Sequence, residues 1–215
     1  MSVFRKYLNL FCISLGASCI FKLAMIKDVY YDAMQSAFQA TNVQMGLLIT
    51  FFAITQALAY LPGGWLVDLV PVKYLMPVGL IGTGLLGFWE ATFPSYQVLL
   101  VIQMGYGLVI TLMFWDAMIK GTRMLAADHA QGKIFGMLEG VRGACATAAS
   151  FGGVYFFSKM GEGMNGLRSV MLYYATILCV VGVLVFLFME KNEVEGKVNA
   201  RQALGGLVQV AKLPK

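Results

Sequence analysis

Charged side chains are rare in the long apolar stretches of this sequence, and the few that occur there are the candidates for chemistry. A charge near the centre of a membrane helix costs about 2.5–3.5 kcal/mol on insertion scales, so each one kept there indicates a function. Glu139 and Arg142 lie three residues apart, on one face of a helix. Arg142 either forms a buried ion pair with Glu139 or Asp116, or faces a water-filled cavity and binds an anion. Its planar fork of donors matches phosphate and carboxylate oxygens.

Further polar residues extend the candidate anion site. Lys22 falls late in the first apolar stretch, where it either reaches outward to the interface or lines the cavity. Lys27 lies at the outer end of the same stretch. Trp115 precedes Asp116, where its ring either packs or contacts a solute. The predicted substrate-binding residues are Arg142, Lys22, Lys27 and Trp115.

A second group of residues is predicted to act in coupling or gating rather than in binding. Glu139 is interpreted as the counter-ion of Arg142 or as a gate residue, and a proton-coupling role for Glu139 or Asp116 is the alternative. The group consists of Asp68, Lys73, Asp116, Glu139 and Arg123.

Enzyme chemistry is not predicted. The single histidine, His129, falls in a polar loop without an accompanying nucleophile, and no metal-ligand spacing occurs in the sequence. Cysteines inside apolar runs are typical of small packing residues. They are Cys12, Cys19, Cys145 and Cys179. We therefore predict no catalytic residue, no metal and no cofactor.

The composition predicts the environment of the chain. Of its 215 residues, 59% are hydrophobic and 13% are charged, and the mean hydropathy is +0.74. Soluble domains have about 25% charged residues, so the sequence predicts an integral membrane protein with the lipid bilayer around it. The net charge of +5 comes from Lys and Arg residues spread over the loops, so nucleic acid is not a predicted partner.

Six stretches are long and apolar enough to cross a membrane, which takes about 20 residues. They are residues 7–26 (extending toward 31), 45–66, 74–93, 96–119, 134–157 and 169–189. The predicted fold is all-α, a bundle of six transmembrane helices, because barrel strands would alternate apolar and polar residues. Most loop Lys and Arg residues fall on one side, so both termini are predicted to be cytoplasmic.

Two parts and an internal repeat make up the predicted domain organisation. Residues 1–190 form the six-helix domain, and residues 191–215 form a cytoplasmic segment, either a flexible linker or an interfacial helix. Gly63 and Gly64 align with Gly152 and Gly153 after a shift of about 89 positions, from 63 to 152. This shift predicts two three-helix units in opposite orientations.

The turn at residues 62–73 carries the strongest resemblance to a known family. It joins two apolar runs within a few residues, which predicts antiparallel helices side by side, and Gly63 and Gly64 predict a close approach of another helix. Gly64, Asp68 and Lys73 match the pattern Gly-x-x-x-Asp-(Arg/Lys)-x-Gly-(Arg/Lys)-(Arg/Lys), from which positions 69 and 71 depart. With six apolar stretches and the residues 131–136, the sequence resembles the amino-terminal half of a major facilitator superfamily transporter.

Within this superfamily, the sequence is most similar to the sugar-phosphate and glycerol-phosphate antiporters. The resemblance implies that Arg142 occupies the position of a substrate-binding histidine on the fifth helix, and that Lys22 and Lys27 lie near a phosphate-binding arginine on the first. It also implies alternating access between two six-helix halves in a bacterial cytoplasmic (inner) membrane. The second half is therefore expected to be missing from this chain or supplied by another.

The preferred hypothesis is a secondary active transporter, or half of one, for a small and possibly anionic organic solute. It predicts that Arg142 and Glu139 line a solvent-accessible groove. The alternative is a non-transporting membrane scaffold or sensor built on the same half-fold, which predicts that the polar face is packed shut. An intramembrane protease is disfavoured because no nucleophile has a base beside it.

Overall fold

The computed structural model describes residues 3–189, and the regular structure in this range is helical throughout. The α-helices are α1 (Val3–Cys19), α2 (Tyr31–Phe38), α3 (Asn42–Leu69), α4 (Val72–Glu90), α5 (Tyr96–Val109), α6 (Asp116–Arg123), α7 (Gln131–Lys159) and α8 (Met164–Phe188). A π-helical segment, Ile110–Trp115, joins α5 to α6 without a break, and 3-10 turns occur at Ile26–Asp28 and Asp128–Ala130. The predicted segment 191–215 lies outside the described residues.

Among residues 3–189, four helical stretches are long and apolar enough to cross a membrane. They are Asn42–Leu69, Val72–Glu90, Tyr96–Arg123 and Met164–Phe188. The all-helical membrane prediction is confirmed, and these four stretches correspond to the second, third, fourth and sixth predicted spans. The fifth predicted span lies within α7, and the first is α-helical up to Cys19. Both remain predictions as membrane crossings, because α1 has only 17 residues and α7 is not among the stretches that are apolar enough.

The first predicted span is not one continuous helix. The α-helix ends at Cys19, and residues 20–25 form turns before the 3-10 turn begins at Ile26. Near the end of α1, the Ser18 hydroxyl donates to the Leu15 carbonyl at 2.7 Å, a side-chain bond of the kind that bends helices. The Lys22 amide donates to the carbonyl of Cys19, three residues earlier, and not to that of Ser18, four residues earlier, as it would in an α-helix. Lys22 therefore lies in an irregular stretch rather than on a helix.

The turn between α3 and α4 is shorter than predicted. The α3 helix continues through Pro62 and ends at Leu69, so that two residues connect it to α4. In the described part of the chain, α3 packs on α5 and the π-helical segment, whereas α4 packs chiefly on α8. The predicted side-by-side packing of these two helices is therefore wrong: a short turn sets their direction but does not make them neighbours.

Small residues bring helices together at specific points. Gly63 is buried, and a Cβ there would lie 2.5 Å from Asp116 Oδ2 and 3.3 Å from the Thr111 carbonyl. This confirms the predicted close approach at Gly63. The same prediction is wrong for Gly64, where a Cβ would meet no atom of the described residues within 4 Å. In α4, Gly84 allows α8 to approach, since a Cβ there would lie 2.9 Å from the Ala175 carbonyl.

Candidate functional site

A cavity of about 320 Å³, here called the central cavity, lies between the irregular end of the first segment, α7 and α8. It is lined by Ala17, Ser18, Phe21, Lys22, Met25, Ile26, Asp28, Val29, Tyr30, Arg142, Ala146, Ser150, Val154 and Tyr174. Two of the predicted substrate-binding residues, Lys22 and Arg142, are therefore in the same cavity although 120 positions separate them (142 − 22).

Lys22 is held by α7 through a hydroxyl. Its Nζ donates to Ser150 Oγ at 2.6 Å, and Ser150 Oγ donates in turn to the Ala146 carbonyl at 2.9 Å. Among residues 3–189, no carboxylate lies within ion-pair distance of Lys22. An ammonium group that is partly buried and has no opposite charge beside it favours an anion.

Arg142 forms an ion pair with Glu139 rather than with Asp116. The guanidinium donates to Glu139 Oε2 through Nε at 2.9 Å and through Nη2. The pair lies at the edge of the central cavity and not in a sealed interior, because 52% of the Glu139 side chain is exposed. The interpretation of a buried ion pair is therefore wrong, because the pair is exposed. Arg142 lines a cavity, and its binding of an anion there stays a prediction.

Lys27 and Trp115 lie next to the central cavity without lining it. Lys27 Nζ contacts Asp28 Oδ1 at 2.8 Å, and Asp28 belongs to the cavity wall. The Trp115 ring packs edge-on against Phe21, with 5.7 Å between the centroids. Since Phe21 is in the wall, Trp115 supports the cavity from behind.

A second cavity, of about 840 Å³, lies near the turn between α3 and α4, and we call it the turn cavity. It is lined by Gly64, Val67, Asp68, Asp116, Ile119, Lys120, Arg123, Met124, Ala126, Gln131 and Phe135. Asp68 forms an ion pair with Lys120 at 2.6 Å, and Lys120 also donates to the Val67 carbonyl at 3.2 Å. The turn cavity therefore brings together the predicted residues Asp68, Asp116 and Arg123.

Lys73 does not join this group. Its Nζ lies 5.8 Å from the centroid of the Phe186 ring, on the side of α4 that faces α8. Sequence reasoning missed Lys120, the partner of Asp68, because a basic residue at the end of an apolar stretch is typical of a loop charge. The signal was present, since Lys120 follows Asp116 by four residues and so shares its helix face.

Asp116 follows the π-helical segment and approaches the backbone of α3. Its Oδ2 is buried and has no hydrogen-bond partner among the described residues. A π-helical segment inside an α-helix is often found at functional sites, and here it precedes the carboxylate directly.

A third cavity, of about 510 Å³, is lined by residues that include Tyr30, Asp32, Phe157 and Glu162, and we call it the Asp32 cavity. The three cavities follow one another along α7, which contributes residues 131 and 135 to the turn cavity, 142–154 to the central cavity and 157 to the Asp32 cavity. At about 1.5 Å per residue, the gaps along the helix are roughly 10 Å and roughly 5 Å.

Sequence reasoning also missed Glu90. This carboxyl is fully buried at the end of α4, and its Oε2 accepts a hydrogen bond from the Tyr106 hydroxyl at 2.7 Å. The signal was a carboxylate within the third predicted span, residues 74–93, by the same rule that selected Glu139.

Comparison with known proteins gives a family and two relatives. The Major Facilitator Superfamily model matches residues 8–213. The chain is 28% identical over 201 residues to "Inner membrane protein YihN" of Escherichia coli (strain K12), which covers 94% of this chain and 48% of that protein. It is 29% identical over 190 residues to "Inner membrane protein YqcE" of the same organism, which covers 88% and 45% respectively. The chain spans about half the length of these curated relatives. No solved structure matches it.

Proposed function

Since this chain belongs to the Major Facilitator Superfamily, we propose that it takes part in the secondary active transport of a small anionic organic solute. The observation that carries the proposal is Lys22, a cation without a carboxylate partner among the described residues, in a cavity shared with Arg142. A solute with a carboxylate or phosphate group would supply the missing negative charge. Superfamily membership indicates a transporter rather than an enzyme.

The proposed roles follow from these contacts. Lys22 binds the anionic group, and Ser150 fixes the ammonium in position. Arg142 contributes donors that Glu139 leaves unused, and Glu139 lowers the net positive charge so that the solute can also leave. Lys27 and Trp115 position the wall of the central cavity. Lys27 acts through its ion pair with Asp28, and Trp115 acts through its contact with Phe21.

In the proposed architecture, residues 1–190 form six spans with both termini cytoplasmic, and residues 191–215 lead to a second half. Packing supports the inverted repeat: α1 packs on α7 as α3 packs on α5, and α4, which closes the first unit, packs on α8, which closes the second. Both relatives are named inner membrane proteins, which supports the inner membrane as the location. A second six-helix half would complete the cavity and permit alternating access.

The turn cavity is proposed to be the gating region. Asp68 and Lys120 join α3 to α6 by a charge pair, and Arg123 lines the same space. Such a pair can break and form again at small cost because it is only partly buried. Asp116, unpaired on one oxygen, would couple to this rearrangement, whereas Lys73 would act only through α8.

The test uses cysteines placed in the central cavity of the protein in membrane vesicles, after the four native cysteines are replaced. Arg142→Cys is expected to react with a hydrophilic, membrane-impermeant thiol reagent. Ala146→Cys keeps both Lys22 and Arg142 in the cavity wall, and glucose 6-phosphate is expected to slow its reaction more than glucose does. The control is Ala175→Cys, which is fully buried in α8 and should not react. If position 142 is unreactive from both faces, the polar face is closed, and the alternative, a non-transporting scaffold or sensor, is favoured.

A further inference from the structure

Tyr30 lies in the wall that the central cavity and the Asp32 cavity share. Its ring packs on Phe157 of α7, with 4.7 Å between the centroids and a tilt of 43°. Phe157 itself lines the Asp32 cavity. Two aromatic rings from opposite sides therefore meet where the two cavities adjoin.

The Tyr30 hydroxyl is buried and has no hydrogen-bond partner among residues 3–189. It points over Gly153, where a Cβ would lie 3.2 Å from the phenol oxygen, and the Tyr174 hydroxyl occupies the same region. A buried hydroxyl without a partner destabilises the conformation that holds it, relative to one in which water solvates the group. The observed position of Tyr30 therefore carries a penalty that an outward movement of the ring would remove.

The Tyr30 side chain extends from an irregular part of the chain. Residues 20–30 belong to no α-helix, and Tyr30 has φ −118° and ψ 43°, between the 3-10 turn and α2. The Tyr30 carbonyl accepts from the Met34 amide of α2 at 2.9 Å, so the movement is a rotation of the side chain that leaves this bond in place. Gly153 has no side chain that would meet the phenol oxygen.

We propose that Tyr30 is the gate between the central cavity and the Asp32 cavity: it is closed when its ring packs on Phe157 and open when the ring moves toward water. The gate regulates access to the solute site and so rests on the proposed function. The unpaired hydroxyl keeps the closed state from being too stable, so the gate opens often enough for a solute to pass.

The experiment measures access to the central cavity in the absence of solute. Ala17→Cys serves as the reporter because Ala17 lines this cavity and is 4% exposed. It is introduced without the native cysteines and reacted with an impermeant thiol reagent in right-side-out and in inverted vesicles. Tyr30→Ala removes the ring and should speed the reaction roughly ten-fold, from one face only. Tyr30→Phe removes the penalty of the closed state and should slow it by a similar factor.

Tyr31 provides the matched control, because its hydroxyl already has a partner in Asn42 Oδ1 at 3.0 Å. Tyr31→Phe should leave the reporter rate unchanged. The gate is overturned if Tyr30→Ala does not speed the reaction, if it does so equally from both faces, or if Tyr30→Phe does not slow it. The conservative Tyr30→Phe variant keeps the test decisive even if Tyr30→Ala fails to fold. Failure of glucose 6-phosphate to protect position 146 would instead contradict the proposed solute and leave these rates unaffected.

Discussion

Lys22 and Ser150 form a 2.6 Å hydrogen bond across 128 positions of the sequence. This bond ties the irregular end of the first segment to the middle of α7 and holds the ammonium at the central cavity. Because Ser150 is neutral, it orients the charge without cancelling it. The cavity therefore keeps a positive potential that a charged probe can measure.

The first prediction concerns this potential. Ala146→Cys lines the central cavity and can react with anionic or cationic thiosulfonates of similar size. Lys22→Met should lower the ratio of the anionic to the cationic rate by roughly five-fold, because one positive charge within several ångströms is lost. Lys22→Arg keeps the charge and should preserve the ratio, and Ser150→Ala should change it less than Lys22→Met does. An unchanged ratio in Lys22→Met would show that Lys22 does not set the charge of the cavity.

The second prediction concerns the ion pair between Asp68 and Lys120. The pair is partly exposed, so Asp68→Asn or Lys120→Met should each lower the free energy of unfolding by only about 0.2–1 kcal/mol. Both variants should nevertheless raise the thiol reactivity of Ala126→Cys in the turn cavity. The charge-reversed double variant, Asp68→Lys with Lys120→Asp, should restore the lower reactivity.

Lys73→Met is the control for this second prediction, since Lys73 lies against Phe186 and away from the turn cavity. Its effect on the reactivity of position 126 should be small. If Lys73→Met and Lys120→Met act alike, the effect comes from the general loss of positive charge and not from the pair.

The sequence was sufficient to predict the helical class and two of the residues that line the central cavity. Apolar length identifies helices because each helix satisfies its own backbone hydrogen bonds. The rarity of charge in apolar stretches identified Lys22 and Arg142 separately, and the structure places both in the wall of one cavity. Glu139, three residues from Arg142, was predictable as its partner from helix geometry alone.

Partners on different helices were not predictable in the same way. Asp68 could have paired with any basic residue near the turn, and only the packing of α3 against α6 selects Lys120 over Lys73. The end of α1 at Cys19 was missed because residues 18–25 contain no glycine or proline to signal it. That α3 and α4 do not pack on each other likewise depends on their contacts with α5 and α8, which no local sequence pattern encodes.

The third prediction compares two adjacent glycines. Gly63→Ala places a methyl group 2.5 Å from Asp116 Oδ2, so it should lower the free energy of unfolding by about 1–3 kcal/mol. Gly64→Ala meets no described atom within 4 Å and should be nearly neutral. Thermal unfolding of the purified protein in detergent measures the two effects. Asp116→Ala should rescue part of the loss at position 63, and equal effects of the two glycine variants would contradict the packing of α6 on α3.

The fourth prediction concerns Glu90 and Tyr106, both fully buried between α4 and α5. Tyr106→Phe removes the donor of the 2.7 Å bond, so a buried carboxyl oxygen loses its partner, at a cost of about 1–3 kcal/mol in the free energy of unfolding. Glu90→Gln keeps an oxygen that can accept the same bond and should cost less. Tyr96→Phe is the control for loss of a tyrosine hydroxyl. The Tyr96 hydroxyl donates to the Gln44 carbonyl at 2.9 Å in a partly buried position, so its removal should lower the free energy of unfolding less than Tyr106→Phe does.

A double-mutant cycle in the same unfolding assay separates this bond from packing. In a Glu90→Leu background the Tyr106 hydroxyl has already lost its acceptor, so Tyr106→Phe should cost much less than in the parent, and the difference measures the coupling. Equal costs in both backgrounds would mean that the Tyr106 hydroxyl does not stabilise the protein through Glu90, because the ring is the same in phenylalanine. The bond would then not explain why a carboxyl remains buried at the end of α4, and Glu90 would need another partner within the membrane.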